Sequence, residues 1–424
     1  MTTVLPDNSA LLEEATKAAS IATFQGGNVP QINEMPERRK RKYTIISADD
    51  HLVEPPNLFD GRLSAKYGDR APKLVDMDDG SQVWVLDGQV LSVIAINAVA
   101  GQKQDEDLVE PRHFADIREG AYDVHKRVED MDLDGVYASL CFPSLVGFAG
   151  VRLQALPDQK YALDTVKAWN DWHIEEWVGP YPDRFIACQI PWLNDSKIAA
   201  EEIHRNAERG FKSVSFPELP GKLGFEPLAS DAWDPFWKAC EETDTVISVH
   251  TGSAGLPVNS EGTMAVATQF GAGYSMIPAT EWLFAEMAFK YPNLKIVMTE
   301  GGIGWVAAVY DRLDHAEGRR ETRRIWDHDI RPAEVFRRNF WFCTLNDPSA
   351  MPQRHRIGLD KIMFEVDYPH ADTSWPDTQT RADSLLKDLP KDEADMIAWR
   401  NASQLYRHEV PAAIQSDPEA FGQR

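Results

Sequence analysis

The sequence predicts an α/β protein, a (β/α)8 TIM-type barrel in which eight parallel strands are each followed by a helix. Two observations favour this fold. Short apolar runs rich in β-branched residues alternate with stretches of helical spacing, which is the pattern of βα units. The runs are apolar almost throughout, as expected of strands covered on both faces. Eight such units close into a barrel, and a chain of 424 residues leaves room for additions to it.

Eight strands are predicted along the chain. They are Tyr43–Ala48, Gly135–Phe142, Phe185–Ile190, Phe211–Phe216, Thr245–Val249, Leu294–Met298, Phe340–Thr344 and Ile362–Val366. Helical spacing follows in Tyr161–Val178, Ser196–Arg209, Ala232–Glu242, Ala279–Tyr291 and Gly304–Glu317, and again in Ala394–Tyr406. We therefore assign residues 43–406 to the barrel and residues 407–424 to a loose C-terminal tail.

Two additions to the barrel are predicted. Residues 1–42 form an N-terminal arm, in which Leu11–Ala22 has the spacing of a short helix. The segment Gln82–Ile96 holds two apolar runs around Asp87-Gly88, which predicts a β-hairpin inserted after the first strand. The polar stretch that follows, Gln102–Gly120, is predicted to be a surface or active-site loop.

Composition narrows the class of protein. The 44 Lys and Arg residues against 67 Asp and Glu residues give a net charge of −23, which disfavours a nucleic-acid partner. No apolar run approaches the roughly 20 residues of a membrane span, and the N-terminus lacks a secretory pattern. The four cysteines are too widely spaced for a disulfide framework. These features favour a reduced, cytoplasmic, soluble protein and leave a small-molecule substrate as the expected partner. The basic run Arg38–Lys42 is either a solvated linker or a contact with an acidic partner subunit in a homo- or hetero-oligomer.

Barrel enzymes build their sites at the C-terminal ends of the strands, so the residues there decide the chemistry. Taken singly, each polar residue at a strand end has an ordinary structural explanation, such as a turn, a core histidine or a salt bridge. Taken together, three carboxylates and three histidines at one rim exceed what one open catalytic metal requires. Two metals, or one metal with a catalytic acid–base set, are both compatible. The candidate ligands are Asp49, His51, His250, Glu300, Asp367 and His370, whereas Asp50 should face away.

Four segments, in this order, resemble the amidohydrolase-related family, in the branch typified by aminocarboxymuconate semialdehyde decarboxylase. They are Ile46–Pro55, Ser248–His250, Thr299–Trp305 and Val366–His370. The resemblance covers roughly residues 43–406. It implies that Asp49, His51, His250 and Asp367 bind a first metal.

Two positions depart from the decarboxylase pattern. Glu300 stands where the decarboxylase has a catalytic histidine, and His370 stands where it has an apolar residue. In this respect the chain is similar to dinuclear members of the family such as 2-aminoisobutyrate hydroxylase. The resemblance then implies that Glu300 and His370 are catalytic and hold a second metal, with iron or manganese as cofactor and zinc as an alternative.

The implied function is O2-dependent hydroxylation of a small amino acid or carboxylate. Two alternatives stay open. The first is a hydrolase or non-oxidative decarboxylase that uses metal-activated water. The second is a non-catalytic subunit paired with a catalytic relative. No GxGxxG fingerprint of a flavin or nicotinamide enzyme is present. Trp305 and Trp375 near the rim fit either a substrate pocket or core packing.

Overall fold

The structure is a computed structural model, and it describes residues 35–91, 94–102, 110–255 and 274–422. The helix predicted over Leu11–Ala22 lies outside these residues. Within the described ranges, no helix is both long enough and apolar enough to cross a membrane.

All eight predicted strand positions carry strands. In chain order the strands are β1 Ile46–His51, β2 Lys73–Asp76, β3 Gln82–Leu86, β4 Gln89–Leu91, β5 Ala138–Phe142, β6 Phe185–Ile186, β7 Cys188–Gln189, β8 Ser213–Phe216, β9 Val246–His250, β10 Ile296–Thr299, β11 Phe340–Thr344 and β12 Ile362–Phe364. The third predicted strand is split into β6 and β7. The first reaches further than predicted, so Asp49 and His51 lie within β1 rather than after it.

The strands form two parallel arcs, β1-β5-β6 and β7-β8-β9-β10-β11-β12. They adjoin at Ala187, whose carbonyl accepts hydrogen bonds from the N–H groups of Lys212 and Ser213 beside β8. On the other side, the Asp367 N–H donates to the Asp49 carbonyl at 2.9 Å, which ties the segment after β12 to β1. The parallel α/β architecture is confirmed, and the carboxyl ends of β1, β9, β10 and β12 meet at one rim.

Helices cover the strands. The longer ones are Val124–Asp134, Gln159–Trp172, Ser196–Arg209, Asp234–Thr243, Met276–Phe284, Val306–Ala316, Pro332–Asn339 and Thr378–Leu386, and shorter ones are Ser64–Tyr67, Val151–Gln154, Met287–Lys290, Arg320–Ile325, Arg354–Ile357, Lys391–Asp395, Asn401–Tyr406 and Ala412–Ser416. The helix Ser196–Arg209 has the predicted bounds because the Asp195 carboxylate caps its first N–H groups and Gly210, in the left-handed region, ends it. The single helix predicted over Ala279–Tyr291 is wrong, since Glu286 has a φ of 64° and divides it into two.

The inserted hairpin is confirmed. Strands β3 and β4 pair antiparallel, with Trp84 opposite Leu91. The turn residues Asp87 and Gly88 have φ values of 50° and 77°, which is the left-handed pair that a two-residue hairpin turn requires. A third strand, β2, extends this small sheet and was not predicted.

The basic run and the C-terminal tail are packed against each other. The Arg41 side chain is buried, and its guanidinium donates to the carbonyls of Asp132 and Phe421 and lies 3.8 Å from the centre of the Phe421 ring. The loose tail is therefore wrong for residues 407–422. The other basic residues pair within the chain, Arg38 with Glu419, Arg39 with Asp377 and Lys42 with Asp383. Except for Lys40, which is exposed, the cluster is thus engaged by its own chain, and contact with a partner subunit stays a prediction.

We expect Arg41→Ala to destabilise the fold by about 2–3 kcal/mol, because buried carbonyl groups would lose a charged donor. Thermal or urea denaturation of the full chain measures this effect. The exposed Lys40→Ala variant removes the same charge and should change stability by less than about 0.5 kcal/mol. Equal stabilities for the two variants would show that the contacts of Arg41 contribute nothing measurable to stability.

Candidate metal centre

An irregularity in β1 sets the direction of its side chains. Ser47 lies opposite Ser139 and Asp50 lies opposite Cys141, so three steps along β1 face two steps along β5. This bulge turns the Asp50 carboxylate away from the barrel interior. The carboxylate accepts hydrogen bonds from the hydroxyls of Ser47 and Ser139. Asp49 is left pointing towards the interior with no hydrogen-bond partner for either carboxylate oxygen.

Asp49, His51 and His250 form a compact group at the rim. The two Nε2 atoms of the histidines are 3.0 Å apart, and they lie 3.5 and 3.7 Å from the carboxylate oxygens of Asp49. The His250 Nδ1 atom lies 2.7 Å from the Thr251 carbonyl, which favours a proton on Nδ1 and a lone pair on Nε2. Nitrogen and oxygen lone pairs therefore converge on one point.

Asp367 and His370 extend this group. One oxygen of Asp367 lies 3.2 Å from the His51 Nε2 atom and 3.0 Å from the His370 Nδ1 atom. The rings of His370 and His51 stack with their centres 3.7 Å apart. The donor atoms of these three residues lie within 4.8 Å of one another, so they form a second set of convergent ligands.

Glu300 and Asp372 form a third set with Asp367, again within 4.8 Å. An oxygen of Glu300 lies 3.3 Å from the His250 Nε2 atom, which joins this set to the first. The Glu300 side chain is 23% exposed, whereas those of Asp367 and His250 are fully buried. Glu300 and Asp372 are therefore the partly exposed acidic groups of the rim, and Glu300 is the one that reaches His250 of the first set.

The unpaired polar atoms show that this donor set fits a divalent cation. Both carboxylate oxygens of Asp49 and of Asp367 are buried without a hydrogen-bond partner, as are the His370 Nε2 and the Asp372 Oδ1 atoms. Leaving such groups uncompensated costs several kcal/mol each. Carboxylate and imidazole together suit manganese, iron or zinc. The assignment of the six predicted residues as metal ligands stays a prediction, but the structure brings all of them to one place, namely Asp49, His51, His250, Glu300, Asp367 and His370.

The shifted pKa values of these groups also fit a metal site. Burial raises the pKa values of Asp49, Glu300 and Asp367 well above the ordinary carboxyl range, and repulsion among the neighbouring carboxylates adds to this. Burial lowers the pKa of His250 to about 3 and that of His370 to about 4, so both imidazoles are neutral at pH 7. Neutral imidazoles and carboxylates that lack a counter-charge are what a metal ion requires.

Several supporting residues were missed from the sequence. The buried Arg127 donates to the carbonyls of His51 and Gly120 and so fixes the end of β1 from outside. The Glu365 carboxylate accepts the Glu300 N–H at 3.0 Å. No spacing rule marks Arg127, which lies on the helix Val124–Asp134, and Glu365 directly follows β12 inside the run that was predicted to be strand. Asp372, by contrast, stands five residues after Asp367 in a segment already rich in ligands, and that closeness was an available signal.

The fold and the rim together define a metal-dependent enzyme of the α/β-barrel class. The sequence profile of the amidohydrolase family matches residues 121–408, more than half of the chain. The protein therefore belongs to the amidohydrolase family. No curated protein sequence matches it.

Three solved structures illustrate the similarity in fold. An amidohydrolase from Mycobacterium avium subsp. paratuberculosis K-10 is 22% identical, with 87% of this chain and 100% of that chain covered and a TM-score of 0.65. A 5-carboxyvanillate decarboxylase from Sphingomonas paucimobilis is 20% identical, with coverages of 86% and 99% and a TM-score of 0.59. A dihydroxybenzoic acid decarboxylase from Polaromonas sp. JS666, with bound manganese and 2-nitroresorcinol, is 17% identical, with coverages of 89% and 100% and a TM-score of 0.60.

Proposed function

We propose that this protein is a divalent-metal-dependent enzyme that catalyses non-oxidative decarboxylation of a small carboxylate. The observation that carries the proposal is the set of buried, unpaired carboxylate and imidazole atoms at the rim, beside the partly exposed carboxyl group of Glu300. The decarboxylases of similar fold, one of them with bound manganese, support this reaction over the O2-dependent hydroxylation that the sequence favoured.

The rim residues have two proposed roles, metal binding and proton transfer. Asp49, His51, His250 and Asp367 would hold the metal. When bound, the metal supplies positive charge that binds a substrate oxygen or activates water. In decarboxylation the C–C bond breaks, CO2 leaves and the electron pair stays on carbon, which then takes a proton. Glu300 would deliver that proton from its carboxyl oxygen, because its side chain is partly exposed and the oxygen lies 3.3 Å from the His250 Nε2 atom of the first ligand set.

We expect manganese-loaded protein to release CO2 from a panel of hydroxybenzoates and amino-substituted carboxylates under strict anaerobiosis. Glu300→Gln should lower kcat by roughly 10²–10⁴-fold while the protein keeps at least one metal ion. CO2 detection, an oxygen electrode and elemental analysis make the three measurements. A product formed only with O2 and a reductant would overturn the proposal. Anaerobic cleavage of esters or amides in place of CO2 release would assign the site to hydrolysis by metal-activated water.

One observation favours a second candidate function, dinuclear O2-dependent hydroxylation. Asp367 belongs to two of the three ligand sets, so its carboxylate is placed to bridge two metals. In that case iron- or manganese-loaded protein should hold two ions and consume O2. Glu300→Ala and His370→Ala should each reduce the metal content towards one ion while the fold persists. A wild-type content of one ion would remove this candidate.

A further inference from the structure

A cavity of about 650 Å³ adjoins the metal centre, and no role has been assigned to it so far. His370 and Ala371 line it where it meets the rim. Its volume is within the range of small-molecule sites, roughly 300–1,000 Å³. Apolar side chains also contribute to its wall, namely Val99, Ala100, Trp375 and Pro376.

Arg381 brings a positive charge to this wall. Its side chain is half-buried. In the part of the chain that the structure describes, no carboxylate pairs with its guanidinium. The neighbouring Asp377 is engaged by Arg39 at 2.8 Å, and the Ser384 hydroxyl donates to the Arg381 carbonyl rather than meeting the guanidinium. An arginine that lines a cavity and has no carboxylate partner among the described residues is suited to binding a bidentate anion.

The charge of the rim favours such a cation. The rim carries the carboxylates of Asp49, Glu300, Asp367 and Asp372, and the whole chain has a net charge of −23. These carboxylates repel an anionic substrate, and a fixed positive charge on its route adds to that of the bound metal in offsetting the repulsion. Arg381 is the basic residue among those that line the cavity.

We propose that this cavity is the substrate site and that Arg381 binds a carboxylate group of the substrate. The apolar wall around Trp375 then receives the body of the molecule, and the end beside His370 faces the metal centre. The ligand class is a small carboxylate with a flat or branched apolar body. This inference rests on the proposed function for the identity of the reaction, but carboxylate binding can be measured without turnover.

The test compares benzoate with its uncharged counterpart benzamide by calorimetry on the metal-loaded full chain. We expect Arg381→Ala to weaken benzoate binding by about 10- to 100-fold and to leave benzamide binding unchanged. Arg381→Lys should recover part of the affinity. Lys387→Ala is the control. It removes an exposed charge just after the helix Thr378–Leu386 that carries Arg381, and it should bind benzoate like the wild type. Thermal denaturation of each variant checks that it is folded.

The alternative site for benzoate is the metal itself, and Asp367→Asn separates the two. Weakened benzoate binding in Asp367→Asn with unchanged binding in Arg381→Ala would overturn the inference. If a substrate is found, Arg381→Ala should raise KM with kcat within a few-fold of wild type. If no decarboxylation is found, the comparison of benzoate binding between the wild type and Arg381→Ala still tests the binding site. Failure of the reaction and failure of the binding site are therefore distinguishable.

Discussion

Replacing Asp367 with asparagine is expected to remove the bound metal and to lower kcat/KM on the order of a thousandfold or more. Asp367 is shared by two ligand sets, so its loss affects both, whereas Glu300 and His370 each belong to one. Asparagine has the same shape but carries no charge, so it cannot compensate a divalent ion. It also tolerates the left-handed backbone that Asp367 adopts, with a φ of 58°.

The control for this variant is Asp87→Asn in the hairpin turn. Asp87 also has a left-handed backbone, with a φ of 50°, but it lies in the inserted sheet, where Arg70 pairs with it. Its replacement should leave metal content and activity unchanged. Elemental analysis, kcat/KM and circular dichroism of both variants make the measurement. Full metal content in Asp367→Asn would show that the ion is held elsewhere.

The strand ends explain why much of the site was predictable from sequence. Apolar runs fix where strands lie, and parallel strands of one barrel bring their carboxyl ends to one rim whatever their separation along the chain. His51 and His250 are 199 residues apart in sequence, yet their Nε2 atoms lie 3.0 Å apart. A list of the polar residues after each run was therefore enough to collect the candidate ligands.

Other features depend on contacts that no local pattern reports. The β1 bulge, which turns Asp50 outward and Asp49 inward, arises from the pairing of β1 with β5. Arg127 reaches the end of β1 from a helix far along the chain. The tail residue Phe421 packs on Arg41 from the opposite end of the sequence. Each of these is a tertiary contact, so charge and hydropathy patterns alone predicted a loose end, and for the basic run either a solvated linker or a contact with a partner subunit.

Backbone strain collects at the same rim. Glu300 directly follows β10 and Asp367 lies three residues after β12, and both adopt left-handed backbone conformations, with φ values of 52° and 58°. Residues other than glycine rarely do so, and such positions cost on the order of 1 kcal/mol or more. These two carboxylates, which belong together to the third ligand set, are thus placed at a cost to stability, as is common where side-chain direction serves function.

Chelation is expected to destabilise the protein, and the effect should grow with pH. A metal at a thousandfold excess over its Kd contributes about 4 kcal/mol to the free energy of unfolding. Its removal also leaves Asp49, Glu300 and Asp367 close together in a buried site without a counter-charge. For a chain of this size the loss corresponds to a fall in Tm of roughly 5 °C or more.

The sign of the pH dependence follows from the raised pKa values. In the metal-free protein burial raises the pKa of Asp49, Glu300 and Asp367 well above the ordinary range and that of Glu365 to about 8. Between the unfolded carboxyl pKa of about 4 and these folded values, the folded state binds protons that the unfolded chain has released. The stability of the metal-free protein therefore falls as pH rises through this window.

Metal binding should remove this dependence, because the ion replaces the protons and binds more tightly as they leave. The difference in Tm between metal-loaded and chelated protein is therefore expected to widen from pH 6 to pH 8.5. Buried carboxyl groups away from the centre also titrate, such as Asp134 with a pKa of about 7, but they do so in both forms and cancel in the difference. Thermal denaturation at matched pH values, with and without a chelator, measures it. A Tm difference that stays constant over this range would contradict the prediction. It would mean that metal binding does not change the protonation of the rim carboxylates, so that these groups do not hold the ion.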